Sequence, residues 1–374
     1  MWMRKAEQMK ITAEKNELMR AITTVMKAVP SKTTMSILYC ILIDATVDTI
    51  RFTGNDTELG IETTVDGVIE ERGLVCLEAK LFSEIIRKLP NEEVTITADE
   101  RNQALITCGQ SVFRIAGRDG KEFTPLPSMD REDPIILNQF QLQELIRQTI
   151  FSIAINDANR IMTGEFLQVR ENEMRMVALD GHRIAIRQMD LDRPYADREA
   201  IIPGKTLSEI AKIVSGEQED EVRLYFSRNH VLFEMERTLV ISNLIEGNYY
   251  RVEQMLSNDY ETKITVSKEA FISSVDRALL FTSEADKRPL VLTIGQDSMN
   301  LNISSQNGSM SDNIAIAAEG KELKIGFNPK FILDALRVID SEEIDIYFLN
   351  SRAPMFIRDE AQSYIYMVLP VNFV

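Results

Sequence analysis

The chain of 374 residues repeats one pattern at intervals of about 125 residues. Three segments carry it, at residues 79–89, 204–214 and 329–339, and their lysines Lys80, Lys205 and Lys330 are spaced by 205 − 80 and 330 − 205, both 125. Each segment has helical apolar spacing, follows a strand-like stretch and precedes a short acidic turn with another alternating run. A repeat of this length is the usual size of one domain, so the sequence predicts three tandem copies of one fold.

A second helical segment opens each copy, at residues 17–20, 144–147 and 271–275. Between the helices, apolar and polar residues alternate, most clearly at residues 174–177, 230–236, 299–303 and 364–369. Alternation with period two and one apolar face is typical of antiparallel sheet, and helices can cover that face. We therefore predict an α+β fold in which each copy packs two helices on antiparallel sheet.

Two polar stretches, residues 125–134 and 257–263, separate the copies and are interpreted as linkers. They divide the chain into a first domain at residues 9–130, a second at 131–258 and a third at 259–374. The first eight residues are interpreted as an N-terminal extension.

The composition of the chain indicates the cellular compartment in which it acts and the kind of surface it presents. Its longest apolar runs are far too short to span a membrane, and its N-terminus lacks the apolar core of a signal peptide. The three cysteines lie far apart, which favours a reducing cytoplasm over a disulfide framework. The formal net charge of −16 argues against a generally basic nucleic-acid-binding surface, so the location of the cations matters.

Pairs of cations seven residues apart recur on the repeated helices. Seven residues is close to two helical turns, so each pair is expected on one face, opposite apolar stripes such as Leu81, Phe82, Ile85, Ile86 and Leu89, or Leu207, Ile210, Ala211 and Val214. The pairs are Lys80 with Arg87, Lys205 with Lys212, Lys330 with Arg337 and, on the opening helix, Arg20 with Lys27. Such faces are either ordinary solvated surfaces or surfaces that contact duplex phosphates without reading sequence.

No arrangement for catalysis is visible. The two histidines, His182 and His230, lie in a turn and in a strand-like run, and no nucleophile, phosphate-binding or metalloprotease motif occurs. The acidic residues are scattered over polar faces. We therefore predict a protein that is not an enzyme, with no catalytic residue, no metal and no cofactor.

Several segments together resemble the bacterial DNA sliding clamps, the β subunits of DNA polymerase III. They are residues 179–184 (LDGHRI), 245–249 (IEGNY), 325–328 (IGFN) and 366–371 (YMVLPV), with the opening segments 9–15 and 30–38. The resemblance implies three tandem DNA-clamp domains and a head-to-tail homodimer closed into a ring around double-stranded DNA. It also implies a pocket for short peptides carried by the polymerase catalytic subunit, the clamp loader and other proteins.

The resemblance places this partner-peptide pocket on three separate stretches. The residues carried over are Met162, Leu179, Gly181, His182, Arg183, Ile184, Tyr250, Gln254, Met255, Met367, Leu369, Pro370 and Val371. The family commonly has proline where Tyr250 stands, and often a basic residue where Gln254 or Asn372 stands. These departures leave the peptide preference open.

Further positions follow from the same resemblance. Lys32 and Arg160 are expected to face DNA from loops, beside the helical cations. At the joint of the ring, Phe113 and Ile115 of the first domain are expected to meet Leu280 and Phe281 of the third.

Two other functions stay open on the sequence alone. The same repeats could form a scaffold or a divergent clamp paralogue without a replicative role, which would then not be retained on DNA. A nucleotidyltransferase activity within the chain itself is a third hypothesis, against which the lack of an acidic metal triad speaks.

Overall fold

The computed structural model describes residues 7–155, 157–282 and 288–373, so the predicted extension falls outside the described part up to residue 6. Six helices lie within these ranges: α1 (Lys15–Val25), α2 (Ala79–Lys88), α3 (Gln139–Arg147), α4 (Gly204–Ile210), α5 (Lys268–Leu279) and α6 (Pro329–Leu336).

The strands of the first third are β1 (Glu7–Glu14), β2 (Cys40–Asp44), β3 (Ile50–Asn55), β4 (Leu59–Val65), β5 (Val68–Glu71), β6 (Leu74–Glu78), β7 (Glu93–Asp99), β8 (Gln103–Cys108), β9 (Ser111–Ala116) and β10 (Arg118–Asp119). Those of the middle third are β11 (Ile135–Asn138), β12 (Gly164–Leu179), β13 (Arg183–Pro203), β14 (Glu221–Phe226), β15 (His230–Met235) and β16 (Thr238–Asn243). The last third contains β17 (Thr262–Ser267), β18 (Leu290–Ile294), β19 (Ser298–Ser305), β20 (Gly308–Gly320), β21 (Leu323–Phe327), β22 (Glu343–Phe348), β23 (Met355–Arg358) and β24 (Tyr364–Val368).

The repeat is visible in where the helices begin. α2, α4 and α6 start at Ala79, Gly204 and Pro329, which are again 125 residues apart (204 − 79 and 329 − 204), and each directly follows a strand. The Glu78 carboxylate accepts the backbone N–H groups of residues 80 and 81, and Asn328 caps α6 in the same way. Side-chain oxygens at these positions satisfy the unpaired N–H groups of a first helical turn, so the strand-to-helix junction is encoded locally. The prediction of two helices per copy on antiparallel sheet is confirmed.

The described residues form two compact units. The first, unit 1, comprises Met1–Phe140 and Lys212–Leu244 and contains a five-stranded sheet in the order β5-β1-β7-β8-β9. It also contains a nine-stranded sheet in the order β10-β6-β2-β3-β4-β16-β15-β14-β11, in which β4 pairs antiparallel with β16.

Unit 2 comprises Gln141–Ala211 and Ile245–Val374. Its ten-stranded sheet has the order β12-β13-β24-β23-β22-β17-β20-β19-β18-β21. Its main core contains Phe271, Leu292, Phe327 and Tyr366 among its buried residues, and α5 and α6 contribute to it. The strands of the middle third are thus shared between the two units, because each half pairs with a neighbouring third of the chain.

Several local predictions need correction. Lys27 and Arg337, which were predicted on helix faces, lie just past the ends of α1 and α6. Leu81 was assigned to the apolar stripe of α2, but 48% of its surface is exposed because it lies about 100° from the centre of the buried stripe Ala79, Phe82, Ile85 and Ile86. α4 ends at Ile210, and the chain then turns toward Gly216, which has φ +75, so Lys212 lies beyond the helix. The second linker ends earlier than predicted, because β17 already begins at Thr262.

Candidate functional site

A tight turn joins the two longest strands of unit 2, β12 and β13. The Asp180 carboxylate accepts the backbone N–H groups of His182 (3.0 Å) and Arg183 (3.1 Å), and Gly181 has φ +82. A left-handed residue at this position suits glycine, and the short carboxylate side chain of aspartate closes the turn. The Asp-Gly-His-Arg segment therefore forms the turn that the sequence predicted.

An apolar cluster lies beside this turn, and we call it the strand-end cluster. Its buried members are Val177, Leu179, Ile184, Ile186, Val252, Phe356 and Met367, with Met162, Phe166, Tyr249, Tyr250, Leu256, Tyr347 and Ile365 packed against it. Ile184 pairs with Leu179 across the turn and with Met367 of β24, and packing of residues 249–256 adds a third stretch of the chain. Of the residues predicted for the pocket, the structure brings together Met162, Leu179, Ile184, Tyr250 and Met367.

Tyr250 bridges two loops. The Asn159 side-chain amide donates a hydrogen bond to the Tyr250 hydroxyl at 2.6 Å, and its Oδ1 accepts the backbone N–H of Ile161. The Tyr250 ring meets Tyr249 edge-on with the ring centroids 6.1 Å apart, and Tyr249 in turn stacks on Phe166 at 5.0 Å. Tyr250 therefore ties the loop that carries Met162 to one wall of the strand-end cluster.

The residues that follow Tyr250 divide between core and surface. Val252 is 2% exposed and anchors a short 3₁₀ turn, whereas Met255 is 45% exposed and Gln254 is also exposed. Val252 thus takes the buried position within this segment. The predicted Gln254 and Met255 lie outside the strand-end cluster.

The C-terminal tail after β24 is held by main-chain hydrogen bonds. The N–H of Leu369 donates to the His182 carbonyl, and the N–H of Val371 donates to the Gly326 carbonyl, both at 2.8 Å. The side chains of Leu369 and Val371 are each 39% exposed. The tail therefore starts at the Asp-Gly-His-Arg turn and presents apolar side chains to solvent without joining the buried cluster.

Arg183 is buried in a network of ion pairs beside the turn. Its guanidinium is 7% exposed, pairs with Asp180 (2.9 Å) and Asp334 (2.8 Å), and lies 4.3 Å from the centre of the Phe331 ring. His182 stacks on the same Phe331 ring, with the two ring centroids 6.1 Å apart. Arg183 therefore links the turn to α6 through its ion pairs. A buried guanidinium requires such carboxylate partners.

One carboxyl group near the cluster is fully buried. Glu165 on β12 is 0% exposed, and its Oε2 accepts a hydrogen bond from the Thr149 hydroxyl at 2.6 Å. Within the described part of the chain its Oε1 has no hydrogen-bond partner. Burial raises the pKa of Glu165 to about 8, and the Thr149 hydrogen bond opposes that rise only in part.

The predicted DNA-facing cations differ in their surroundings. Lys32, Lys80, Arg160, Lys205, Lys212 and Lys330 are exposed, and Lys27 is half-buried in a 3₁₀ turn. Arg87 pairs with Glu84 on its own helix, and Arg337, which caps α6, lies 3.5 Å from Asp276. The Arg20 guanidinium donates to the Thr64 carbonyl at 2.7 Å and pairs with Glu17. It therefore makes its contacts within unit 1.

The residues predicted for the ring joint occupy an edge strand and a helix end. β9 is the last strand of its sheet in the described structure, and its Phe113 is 36% exposed while Ile115 is half-buried. Leu280, which caps α5, is 80% exposed. Phe281 instead packs against the core of unit 2, where Gly308 leaves room for its ring.

Sequence reasoning missed several members of the strand-end cluster. Val177 and Ile186 continue the period-two alternation from Leu179 and Ile184, so the pattern could have located them. Phe356 and Tyr347 carry no comparable sequence signal, because only the pairing of β22, β23 and β24 brings them to the cluster.

No group of three or more His, Cys, Asp or Glu side chains suited to a metal ion occurs among the described residues. In the same part of the chain, no helix combines the length and apolar character that crossing a bilayer requires.

Comparison with known proteins identifies the family. The N-terminal, central and C-terminal domains of the DNA polymerase III beta subunit match residues 9–127, 136–251 and 253–372. The beta sliding clamp of Staphylococcus aureus strain Mu50 is 33% identical over 375 residues, which cover 97% of this chain and 99% of that protein. The crystal structure of the Bacillus subtilis DNA polymerase sliding clamp superposes with a TM-score of 0.94 at 33% identity, covering 98% of this chain and 99% of that one.

A crystal structure from Eubacterium rectale ATCC 33656, assigned to the same beta subunits, is 49% identical with a TM-score of 0.94 and covers 98% of this chain and 100% of its own. The family matches follow one another along almost the whole chain, as the repeat of helices and strands does. The chain therefore belongs to the DNA polymerase III beta subunit family, the bacterial DNA sliding clamps.

Proposed function

We propose that the chain performs its sliding-clamp function as a head-to-tail homodimeric ring that encloses double-stranded DNA and presents the strand-end cluster to partner peptides. The observation that carries the proposal is the strand-end cluster itself, where three distant stretches meet beside exposed apolar residues of the tail. An apolar site flanked by half-exposed Leu369 and Val371 is suited to anchor residues of a short peptide.

Enclosure explains how a chain of net charge −16 can work on DNA. A closed ring is retained by topology, so it needs little affinity for phosphate and can slide. The exposed cations at the starts of α2, α4 and α6 then act as a weak, sequence-independent attraction that salt screens. The proposed joint pairs β9 of one protomer with the end of α5 of its partner.

The partners of the strand-end cluster are peptides of the polymerase catalytic subunit, the clamp loader and other DNA-processing proteins. A leucine or phenylalanine anchor contributes about 1.5–3 kcal/mol when it is buried. Ordering the peptide consumes much of this gain, so affinities in the micromolar range are expected. Met162 and Met367 suit a site with several partners, because methionine repacks at small cost.

We propose that this chain has no catalytic role within the polymerase, whose nucleotidyl transfer belongs to another subunit. We also propose that it acts in the cytoplasm. Purified chain should leave a primer unextended under conditions in which it increases the processivity of the polymerase.

Retention on DNA tests the enclosure directly. The protein is loaded with its clamp loader onto a nicked circular plasmid, and retention after gel filtration is compared before and after the circle is cut. We expect retention on the circle and release after linearisation, because a ring slides off an end. Equal retention on both forms would contradict enclosure.

Charge reversal tests the role of the helical cations in the same assay. A sixfold variant carries glutamate at Lys80, Arg87, Lys205, Lys212, Lys330 and Arg337. Its control carries six reversals at exposed cations outside α2, α4, α6 and the turns that end them: Arg72, Arg131, Arg170, Arg193, Arg198 and Lys321. We expect a loss of loading or sliding in the first variant alone. Equal behaviour of the two variants would remove these helix faces from the mechanism.

A further inference from the structure

A groove with a volume of about 680 Å³ lies in unit 2 on the sheet face opposite the core. Its floor is formed by side chains that alternate with the buried residues of β18 and β19, among them Thr293, Asn300 and Asn302. Strand pairing places Lys324 of β21 beside Thr293, and Thr293 beside Asn300, in one row across three strands. Phe373 of the tail closes one side of the groove.

The charge of this groove is opposite to that of the whole protein. Its described lining holds two cations, Arg288 and Lys324, together with amide and hydroxyl side chains, and no carboxylate. The whole chain has 58 acidic against 42 basic residues. The Lys324 ammonium lies 5.7 Å from the centre of the Phe373 ring. A site with cations and neutral hydrogen-bond donors, and with no carboxylate in its described lining, is suited to bind the carboxylates of a partner.

The tail connects the groove with the strand-end cluster. Leu369 is bonded to the His182 carbonyl at the turn, and Phe373 packs over Gly326, where a Cβ would lie 2.7 Å from the ring. Four residue steps separate Leu369 from Phe373, a reach of about 13 Å in extended chain. A peptide anchored at the cluster and running along the tail therefore reaches the groove with four to six further residues, at roughly 3.3–3.6 Å per residue.

We propose that this groove binds an acidic segment of a partner protein, adjacent in sequence to the apolar anchor that enters the strand-end cluster. The proposal rests on the proposed peptide-binding function of the cluster. The Lys324 ammonium and the Arg288 guanidinium attract the carboxylates, while Asn302 and Thr293 donate hydrogen bonds to them. Partners that carry such an acidic segment are preferred over partners with the same anchor and a neutral flank.

Fluorescence anisotropy with the full-length chain tests this preference. The reference is a Gln-Leu-x-Leu-Phe-type anchor peptide, which is extended at either its N-terminal or its C-terminal side by a tract of glutamates or by a matched tract of glutamines. We expect one of the two glutamate extensions to lower Kd by about three- to tenfold at low salt, because exposed ion pairs are individually weak. The gain should vanish between about 0.1 M and 1 M salt, as the Debye length falls from about 10 to about 3 Å.

Variants identify the groove as the source of the gain. Arg288→Gln with Lys324→Gln should abolish the gain and leave the Kd of the unextended peptide unchanged. Lys321→Gln is the control, since Lys321 lies just before β21, outside the groove lining, and pairs with Glu261 at 2.9 Å. Equal affinities of glutamate and glutamine extensions, or a gain that survives in the double variant, would overturn the proposal.

Zero-length carbodiimide coupling separates the failure of the groove from the failure of the cluster. Glutamate tracts should couple to Lys324 in preference to Lys321, and mass spectrometry locates the linkage. If the unextended peptide fails to bind, the proposed function of the cluster is contradicted, and coupling of a free acidic peptide to Lys324 still decides on the groove. Coupling spread evenly over the exposed lysines would refute it.

Discussion

The buried carboxyl of Glu165 makes the stability of unit 2 depend on pH in a defined direction. The group is 0% exposed, has Thr149 as its hydrogen-bond partner at 2.6 Å, and its pKa is raised to about 8 by burial. Tyr249 is the titratable neighbour, and its own pKa is raised by burial and by Glu165, so it stays neutral over this range. In an unfolded chain a glutamate has a pKa of about 4.3.

The sign of the effect follows from proton binding in the two states. Between about pH 4.3 and 8 the unfolded chain releases the proton while the folded chain retains it, so the free energy of unfolding falls as pH rises, by about 1.4 kcal/mol per pH unit. The stabilisation is complete below pH 4.3 and is lost as pH passes through 8. Over the whole range the loss is on the order of 5 kcal/mol.

Replacing Glu165 with glutamine keeps the shape and removes the titration. Relative to the parent chain, Glu165→Gln should gain stability steadily from about pH 5 to pH 8, by roughly 1.4 kcal/mol per unit. The measurement is urea unfolding followed by circular dichroism, with hydrogen exchange of β12 peptides to assign the transition to unit 2. Glu246→Gln, at an exposed loop position of the same unit, is the matched control. Parallel pH profiles for the parent chain and Glu165→Gln, or a carboxyl titration midpoint near 4 by NMR, would refute this reasoning.

Other expectations concern the tail, the joint and the buried ion pair. Deleting residues 369–374 should abolish binding of the anchor peptide, measured by fluorescence anisotropy, and leave the sedimentation coefficient of the proposed dimer unchanged. Undiminished peptide binding would contradict the pocket assignment. Phe113→Asp with Leu280→Asp should give monomers in sedimentation at low micromolar concentration, because charge would be buried at the joint; a persisting dimer would show that the joint lies elsewhere. Arg183→Met should lower the free energy of unfolding of unit 2 by about 2–4 kcal/mol, since it leaves Asp334 without its buried partner; a change below about 0.5 kcal/mol would show that the pair contributes little.

The repeat and the helix starts could be predicted because their determinants are local. A capping carboxylate or carboxamide, a lysine at the second helical position and a 3.6-residue apolar period lie within about ten consecutive residues, as at Glu78 and Asn328. The residue at which each helix ends was harder to predict from the sequence. The cations at positions 212 and 337 fit the helical period, yet α4 stops at Ile210 and α6 at Leu336. Helix ends depend on how the following turn packs, and spacing alone does not record that.

Some residues of the candidate site could likewise be predicted from local sequence, whereas others are placed by contacts with distant parts of the chain. The Asp-Gly turn and the alternation beside it are local, so Leu179 and Ile184 could be placed on one sheet face in advance. The ion pair of Arg183 could not be predicted, because its partner Asp334 is 151 residues away and no sequence spacing links the two. Phe356 was missed for the same reason, since its position depends on the register of β23 with β24.

Strand β13 connects the proposed peptide site with a helix that carries a proposed DNA-facing cation. It begins at Arg183, where the turn of the peptide site ends, and leads at Pro203 directly into α4, which carries Lys205. Its twenty-one residues span at most about 70 Å, and they pair with β12 along most of the strand and with β24 at its start. In the ring that we propose, one continuous strand therefore connects a partner bound at the strand-end cluster with the helix start that faces DNA.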